Sequence, residues 1–343
     1  MKKIFILFAV VAVSFTACQK DAEIVSPDKT VSVDMTDWNA YTDEADLTKA
    51  THEHGRGCYS MHVLNEKLRN NPGLEETMRN IEILTREVTG KSTPDAARPT
   101  PVVDDPYEGP VTIPVIVNIL EDYIGEVTEA QINSQIAVLT MDYTNLNPNT
   151  SGIPSEFAPV VADCGITFVL AGVNREISTL AEWGTNDAMK LSSQGGIDVT
   201  DPSTYLNLWV CDIGGGILGY AQFPGGAEAT DGVVIGKDYF GVVGGVYGQG
   251  RTATHEVGHW LNLRHIWGDG KCNRDDYVTD TPVSDQPNWA CPVYPLVHCV
   301  SNDMTMNYMD YVYDDCMYMF SEGQNARMRA LFVPGGARES LVL

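Results

Sequence analysis

The stretch HEVGHWLNLRH, residues 255–265, constrains the fold more than any other part of this 343-residue chain. Three of the chain's seven histidines fall within it. In a helix, residues four apart share one face, so His255 and His259 can present two imidazoles to one ion. His265 cannot join them on an unbroken helix, because six residues carry it through about 600° of rotation and about 9 Å of rise. The helix must therefore stop soon after His259, and the chain must turn back. A left-handed residue is the usual means, and after glycine it is asparagine that tolerates that conformation best. Asn262 stands where this turn is needed and is read as bending the chain, not as binding metal.

Three imidazoles leave one position open on a tetrahedral zinc ion, the mark of a catalytic and not a structural site. Glu256, about 100° around the helix from His255, can reach a water on the metal without being a ligand. Zinc lowers the pKa of such a water towards about 7, and a carboxylate can take its proton and pass it to a leaving amine. The reading is zinc on His255, His259 and His265, with Glu256 as general base. A carboxylate third ligand from a later helix is the other known arrangement, and His265 makes it superfluous.

Residues 1–17, MKKIFILFAVVAVSFTA, join two lysines, an apolar run and small residues, a secretory leader too short for a comfortable membrane span. Phe15-Thr16-Ala17-Cys18 reads as a loose lipoprotein box, so Cys18 is the expected lipid-bearing residue and the only expected membrane attachment. Plain secretion is the alternative. Lys and Arg total 22 against 46 Asp and Glu, a formal charge of −24. That balance argues against a nucleic-acid partner and suits calcium, cationic peptides or solubility outside the cell. Export permits disulfides. Cys272, Cys291, Cys299 and Cys316 crowd a stretch with little apolar pattern, where covalent staples would replace a core. Four cysteines allow three pairings, and sequence alone does not choose among them. Cys164 and Cys211 fall on expected strands and read as buried free thiols.

Residues 19–50 are polar and aperiodic and read as a tether. Leu74, Met78, Ile81 and Leu84 recur at helical spacing, which predicts a helix over 74–88. Five prolines between residues 94 and 110 mark a linker and a processing zone. Residues 18–103 are therefore assigned to tether and pro-segment, and 104–343 to a catalytic domain with an upper part (104–261) and a lower part (262–343). VTIPVIVNIL (111–120), GITFVLAGV (165–173), YLNLWVCDI (205–213) and DGVVIG (231–236) read as strands. Thr128-x-x-Gln131 and Ser321-x-x-Gln324 are capping boxes. The first opens a helix with Ile132, Ile136, Leu139 and Tyr143 on its apolar face, and the second a final helix to about Phe332. The expected class is α+β: a twisted mixed sheet with packed helices above, and an irregular, disulfide-stapled part with one C-terminal helix below.

Together with NYMDY (307–311) and GGGILGYAQFP (214–224), the histidine motif resembles the pappalysin family of metzincin metalloproteases over roughly residues 104–343. The likeness departs at Asn262, where that family has glycine. It implies a metzincin-like fold and a zinc endopeptidase made as a zymogen and acting on peptides or proteins; export is expected from the leader, and a monomer is the expected state. By this resemblance Met309 underlies the zinc site in a Met-turn, and Tyr311 hydrogen-bonds the developing oxyanion. GGGILGYAQFP would be an edge strand to which extended substrate adds by main-chain hydrogen bonds. The family's staples would be Cys272 with Cys299 and Cys291 with Cys316. CNRDDYVTDTP (272–282) resembles a calcium loop, implicating the Asp276 and Thr281 side chains and the Asn273 and Thr279 carbonyls. Asp315 matches an acidic pocket floor for the side chain after the scissile bond, which would select Lys or Arg. Cys58 resembles the pro-segment cysteine that fills zinc's fourth position in the latent enzyme. His52 and His54 are the competing metal binders, and a cut before Arg86 or Arg98 would release the block. A catalytically inactive surface binding module is the alternative, for which Asn262 is the only argument.

Overall fold

The structure, a computed structural model, describes residues 33–42, 57–90 and 107–342. Cys18, His52, His54 and Arg98 lie outside these residues, and with them the expectations placed there.

Two helices lie within residues 57–90. α1 spans Ser60–Asn70 and α2 spans Pro72–Val88. α1 was not expected from the sequence, although Met61, Leu64 and Leu68 give it a buried face. Asn71 and Pro72 separate the two: Asn71 accepts from Gly73 N to cap α2, and proline suits the first helical position, where its missing N–H costs nothing. The buried face of α2 includes Leu74 and Met78 as expected, and also Glu82 and Arg86. Those charges tolerate burial because they pair, Arg86 with Glu82 and Asp37, and Glu82 with Arg327. This corrects the expected cut before Arg86, which sits in the last turn of α2 and is only 4% exposed. The tether reading also fails at residues 33–42. There Ala40 is fully buried in a cluster with Met61, Leu64, Leu68, Leu74, Met78 and Phe223.

Beyond the linker, β1 (Val111–Glu121), β2 (Ile166–Ile177), β3 (Leu206–Cys211), β4 (Gly219–Ala221) and β5 (Val233–Gly236) form one sheet in the order β2-β1-β3-β5-β4. All pairs are parallel except β4 with β5, so the sheet is mixed and β4 is its antiparallel edge. β3 and β5 are buried along their whole length, as their unbroken apolar runs require. Cys164 and Cys211 are buried and belong to neither disulfide.

α3 (Glu129–Tyr143) opens with the Thr128–Gln131 capping box and buries Ile132, Leu139 and Tyr143. α4 (Arg251–Trp260) is buried along its whole length and carries the histidine motif. α3 reaches it directly, Tyr143 donating to Thr254 O at 3.0 Å. The chain after α4 is largely irregular. It holds a short parallel pair, β6 (Trp289–Ala290) with β7 (Tyr311–Val312), and α5 (Glu322–Arg329), which opens with the Ser321–Gln324 box. Disulfides Cys272–Cys299 and Cys291–Cys316 staple this region, the pairing the resemblance implied. The architecture is the expected α+β class.

Candidate active site

α4 ends in a Schellman motif. Leu263 N donates to Gly258 O and Asn262 N to His259 O, both at 2.9 Å, closing the last turn. Asn262 has φ 72° and is 7% exposed. The expected bend therefore lies at the expected residue. The side-chain Nδ2 of Asn262 has no partner among the described residues, so what the residue supplies is backbone conformation.

The turn delivers His265 to the other two imidazoles. His259 Nε2 lies 3.2 Å from His255 Nε2 and 3.2 Å from His265 Nε2. Each Nδ1 faces an acceptor: Tyr308 O at 2.7 Å for His255, Leu263 O at 2.8 Å for His259, and the Asp269 carboxylate for His265. That fixes each proton on Nδ1 and aims each Nε2 lone pair inward. Burial, and then His265, hold His259 well below the usual histidine range, so its ring is neutral. Three inward lone pairs repel one another unless a cation lies among them. Nitrogens about 2.0–2.1 Å from a tetrahedral zinc stand about 3.3 Å apart, so the donor set fits zinc.

Cys58 completes the cluster. Its Sγ is 3.5 Å from His259 Nε2, and the four donor atoms lie within 4.8 Å of one another. A zinc-bound sulfur and nitrogen are expected about 3.5 Å apart. Burial and then the Glu256 carboxylate raise the thiol's pKa well above normal, the direction a bound cation would reverse. The same segment reaches the other functional groups. Ser60 Oγ donates to Glu256 Oε2 at 2.6 Å, Tyr311 OH donates to Cys58 O at 3.4 Å, and Tyr59 N donates to Gly219 O on β4 at 3.0 Å. Residues 57–60 thus occupy the open side of the edge strand.

Met309 is buried and packs against α4 at Gly258. A Cβ at Gly258 would sit 2.4 Å from Met309 Sδ, so any larger residue there would force the methionine side chain to move. Tyr311 is buried on β7 with its ring 4.9 Å from His265 and 5.7 Å from His255. Asp314 and Asp315 divide clearly. Asp314 is buried and accepts from Gln249 N and Arg251 N at the start of α4, whereas Asp315 is exposed and accepts from the Gln249 side chain. Asp276 accepts from Val278 N and Thr281 Oγ1 within its own loop, and Asn273 and Thr279 are exposed.

Four contributors were missed. Gly258 could have been found, since glycine inside a helix is costly and signals close approach. Asp269 is four residues after His265, a spacing too common to be diagnostic. Ser60 and Trp267, which stacks on His265 at 4.3 Å, carry no local signal.

The sequence profile of the peptidase M43 family, described as pregnancy-associated plasma protein-A, matches residues 193–333. An extracellular metalloprotease of Pyricularia oryzae is 33% identical in an alignment of length 253 that covers 69% of this chain and 77% of that protein. Extracellular metalloprotease 1 of Coccidioides posadasii is 32% identical over 66% of this chain and 77% of its own length. Among solved structures, mature mirolysin of Tannerella forsythia in complex with a cleaved peptide is similar at 40% identity and TM-score 0.66, over 68% of this chain and 96% of that one. A mutant of promirolysin from the same organism is similar at 35% identity and TM-score 0.73, over 83% of this chain and 97% of that one. The larger share covered by the pro-form agrees with a chain that carries its own pro-segment. A histidine cluster built for zinc and relatives matched along most of their own lengths lead to one conclusion: this chain belongs to the pappalysin (M43) family of metzincin metalloendopeptidases.

Proposed function

We propose that the chain is the zymogen of an exported zinc endopeptidase that pairs an extended peptide along β4 and cuts it before lysine or arginine. The observation that carries this reading is the convergence of three Nε2 atoms, that of His259 lying 3.2 Å from each of the other two, with Glu256 on the helix that carries His255 and His259. Zinc held by His255, His259 and His265 would supply Lewis acidity and a lowered water pKa. Glu256 takes the proton of the attacking water and passes it to the leaving amine. Tyr311, once released from Cys58 O, donates instead to the substrate carbonyl oxygen as it gains charge.

Latency is assigned to residues 57–60: Cys58 as fourth zinc ligand, Ser60 on the general base, and Tyr59 on the strand that substrate would use. Residues 18–103 are tether and pro-segment, and 104–343 the catalytic domain. Release in the proline-rich linker opens the site. Asp315, exposed near the start of α4, is assigned the pocket for a basic side chain after the scissile bond. The loop from Asn273 to Thr281 is assigned to calcium, since hard oxygen donors cluster there in an irregular stretch of chain. The leader sequence and relatives named extracellular metalloproteases support export, with lipid on Cys18.

Cleavage-site mapping on a peptide library tests the reading. Cuts are expected before Lys or Arg, and Asp315→Asn is expected to lower kcat/KM for those peptides by about tenfold. Cuts without basic preference would remove Asp315 from the site. A zinc-loaded protein that cuts nothing would favour the binding-module alternative.

A further inference from the structure

Lys67, on α1, has its ammonium in a pocket supplied wholly by the catalytic domain. Nζ lies 2.7 Å from Asp187 Oδ2, 2.6 Å from Gln222 Oε1 and 3.4 Å from Thr230 Oγ1. Asp187 divides its two oxygens. Oδ1 takes the domain's own buried Lys190, 2.9 Å away, and Tyr220 OH, while Oδ2 is left for Lys67. Gln222 follows directly on β4 and is held by Nε2 donating to Ala227 O, so Oε1 points at the guest. Asp187 and Gln222 are buried, and Lys67 is the part-exposed member that enters from outside. An open groove of about 500 Å³, lined by α1 and by parts of segments 185–191 and 226–230, continues beyond the ammonium, so α1 does not fill it.

The position of this pocket relative to the zinc cluster follows from its neighbours. Gln222 Nε2 also lies 3.5 Å from Asp231 Oδ1, and Asp231 Oδ2 accepts from the indole of Trp260, the last residue of α4. Asp315 accepts from Gln249, just before the first residue of α4. The two acidic positions therefore lie towards opposite ends of a helix about 15 Å long, with the histidines between them. Lys67 is seven residues along α1 from Ser60, which touches Glu256; that is about 10 Å of helix, or about three residues of extended peptide.

We propose that Asp187 Oδ2, Gln222 Oε1 and Thr230 Oγ1 form a second substrate subsite, which takes a lysine side chain about three residues before the scissile bond and which Lys67 occupies in the zymogen. The assignment rests on the peptidase reading and on Asp315 marking the opposite side. Once the pro-segment leaves, the three oxygens around that ammonium are uncovered beside the end of the edge strand. A peptide extended along that strand brings side chains past them at every second residue.

The test uses the zinc-loaded enzyme after pro-segment release, with Glu256→Ala as blank. Matched peptides keep one scissile sequence and carry Lys, norleucine or Glu at successive positions before it. Lys near the third position is expected to raise kcat/KM about tenfold over norleucine, with Glu worse still. Asp187→Asn should bring the Lys-to-norleucine ratio close to one. Because that change also strips Lys190 of its ion pair and could prevent folding, Gln222→Met, which removes only the amide, is measured beside it and should cut the ratio about threefold. Glu256-dependent cleavage at one rate for all peptides overturns the subsite and leaves the peptidase reading standing. No Glu256-dependent cleavage of any peptide overturns both.

Discussion

Arg327 Nε donates to the backbone carbonyl oxygen of Asn262 at 2.8 Å, so α5 clamps the turn that brings His265 to its partners. The clamp and the left-handed backbone at Asn262 act on the same peptide. Asn262→Gly is expected to keep zinc and activity, since glycine adopts φ 72° freely. Asn262→Val should weaken zinc binding and lower the melting temperature, because a β-branched residue at positive φ costs about 1–3 kcal/mol. Zinc titration of the two variants checks this; equal affinity would mean that the turn does not depend on this residue.

The same guanidinium reaches Glu82 of α2 at 2.6 Å, and Glu82 also takes Arg86 at 2.7 Å. Burial opposes the charge on Glu82, but Arg327 and Arg86 overcome it and its pKa falls below the ordinary 4.5. A carboxylate so lowered adds stability that is fully present above about pH 4.5 and lost as pH drops through the folded value. Glu82→Gln should destabilise the precursor by about 3 kcal/mol at neutral pH. It should also flatten the precursor's loss of stability below pH 4.5, and leave the processed enzyme unchanged. Melting curves of both forms across acid pH decide it.

Cys58 reaches both the imidazole cluster and Glu256, and Ser60 reaches Glu256 alone of the two. Cys58→Ala in the unprocessed precursor is expected to raise peptide cleavage well above the wild-type precursor, and adding Ser60→Ala should raise it further. The assay is initial rate on a short fluorogenic peptide, with gel analysis confirming that the chain is intact. A Cys58→Ala precursor as silent as wild type would remove the thiol from the latency mechanism.

Gly258→Ala places a methyl against Met309 Sδ inside a buried cluster, so the methionine must repack among its neighbours. Overpacking of this kind costs about 1–3 kcal/mol. The variant should melt earlier and bind zinc more weakly than wild type, as differential scanning calorimetry and a zinc competition assay would record.

What was legible in the sequence is what local rules encode. The 3.6-residue period put His255 and His259 on one face, the apolar runs marked β1, β3 and β5, and both capping boxes formed as written. Asn262 could be assigned because a third ligand six residues on leaves the backbone no other course. What was not legible depends on partners distant in the chain. Glu82 and Arg86 look like solvated charges until Arg327, some 240 residues away, is placed against them. Residues 33–42 look like a tether until Asn39 meets the Tyr277 hydroxyl at 2.8 Å. α1 was legible in principle, since Met61, Leu64 and Leu68 keep helical spacing, but the segment is short and follows residues without pattern.

The most direct test of the central claim is zinc content measured alongside peptide cleavage for the processed enzyme and its Glu256→Ala variant. Both proteins are expected to hold one zinc ion, because Glu256 is not a ligand, and only the wild type should cut, with the variant slower by several orders of magnitude. Equal cleavage by the two, or a zinc-loaded wild type that cuts no peptide, would contradict the account.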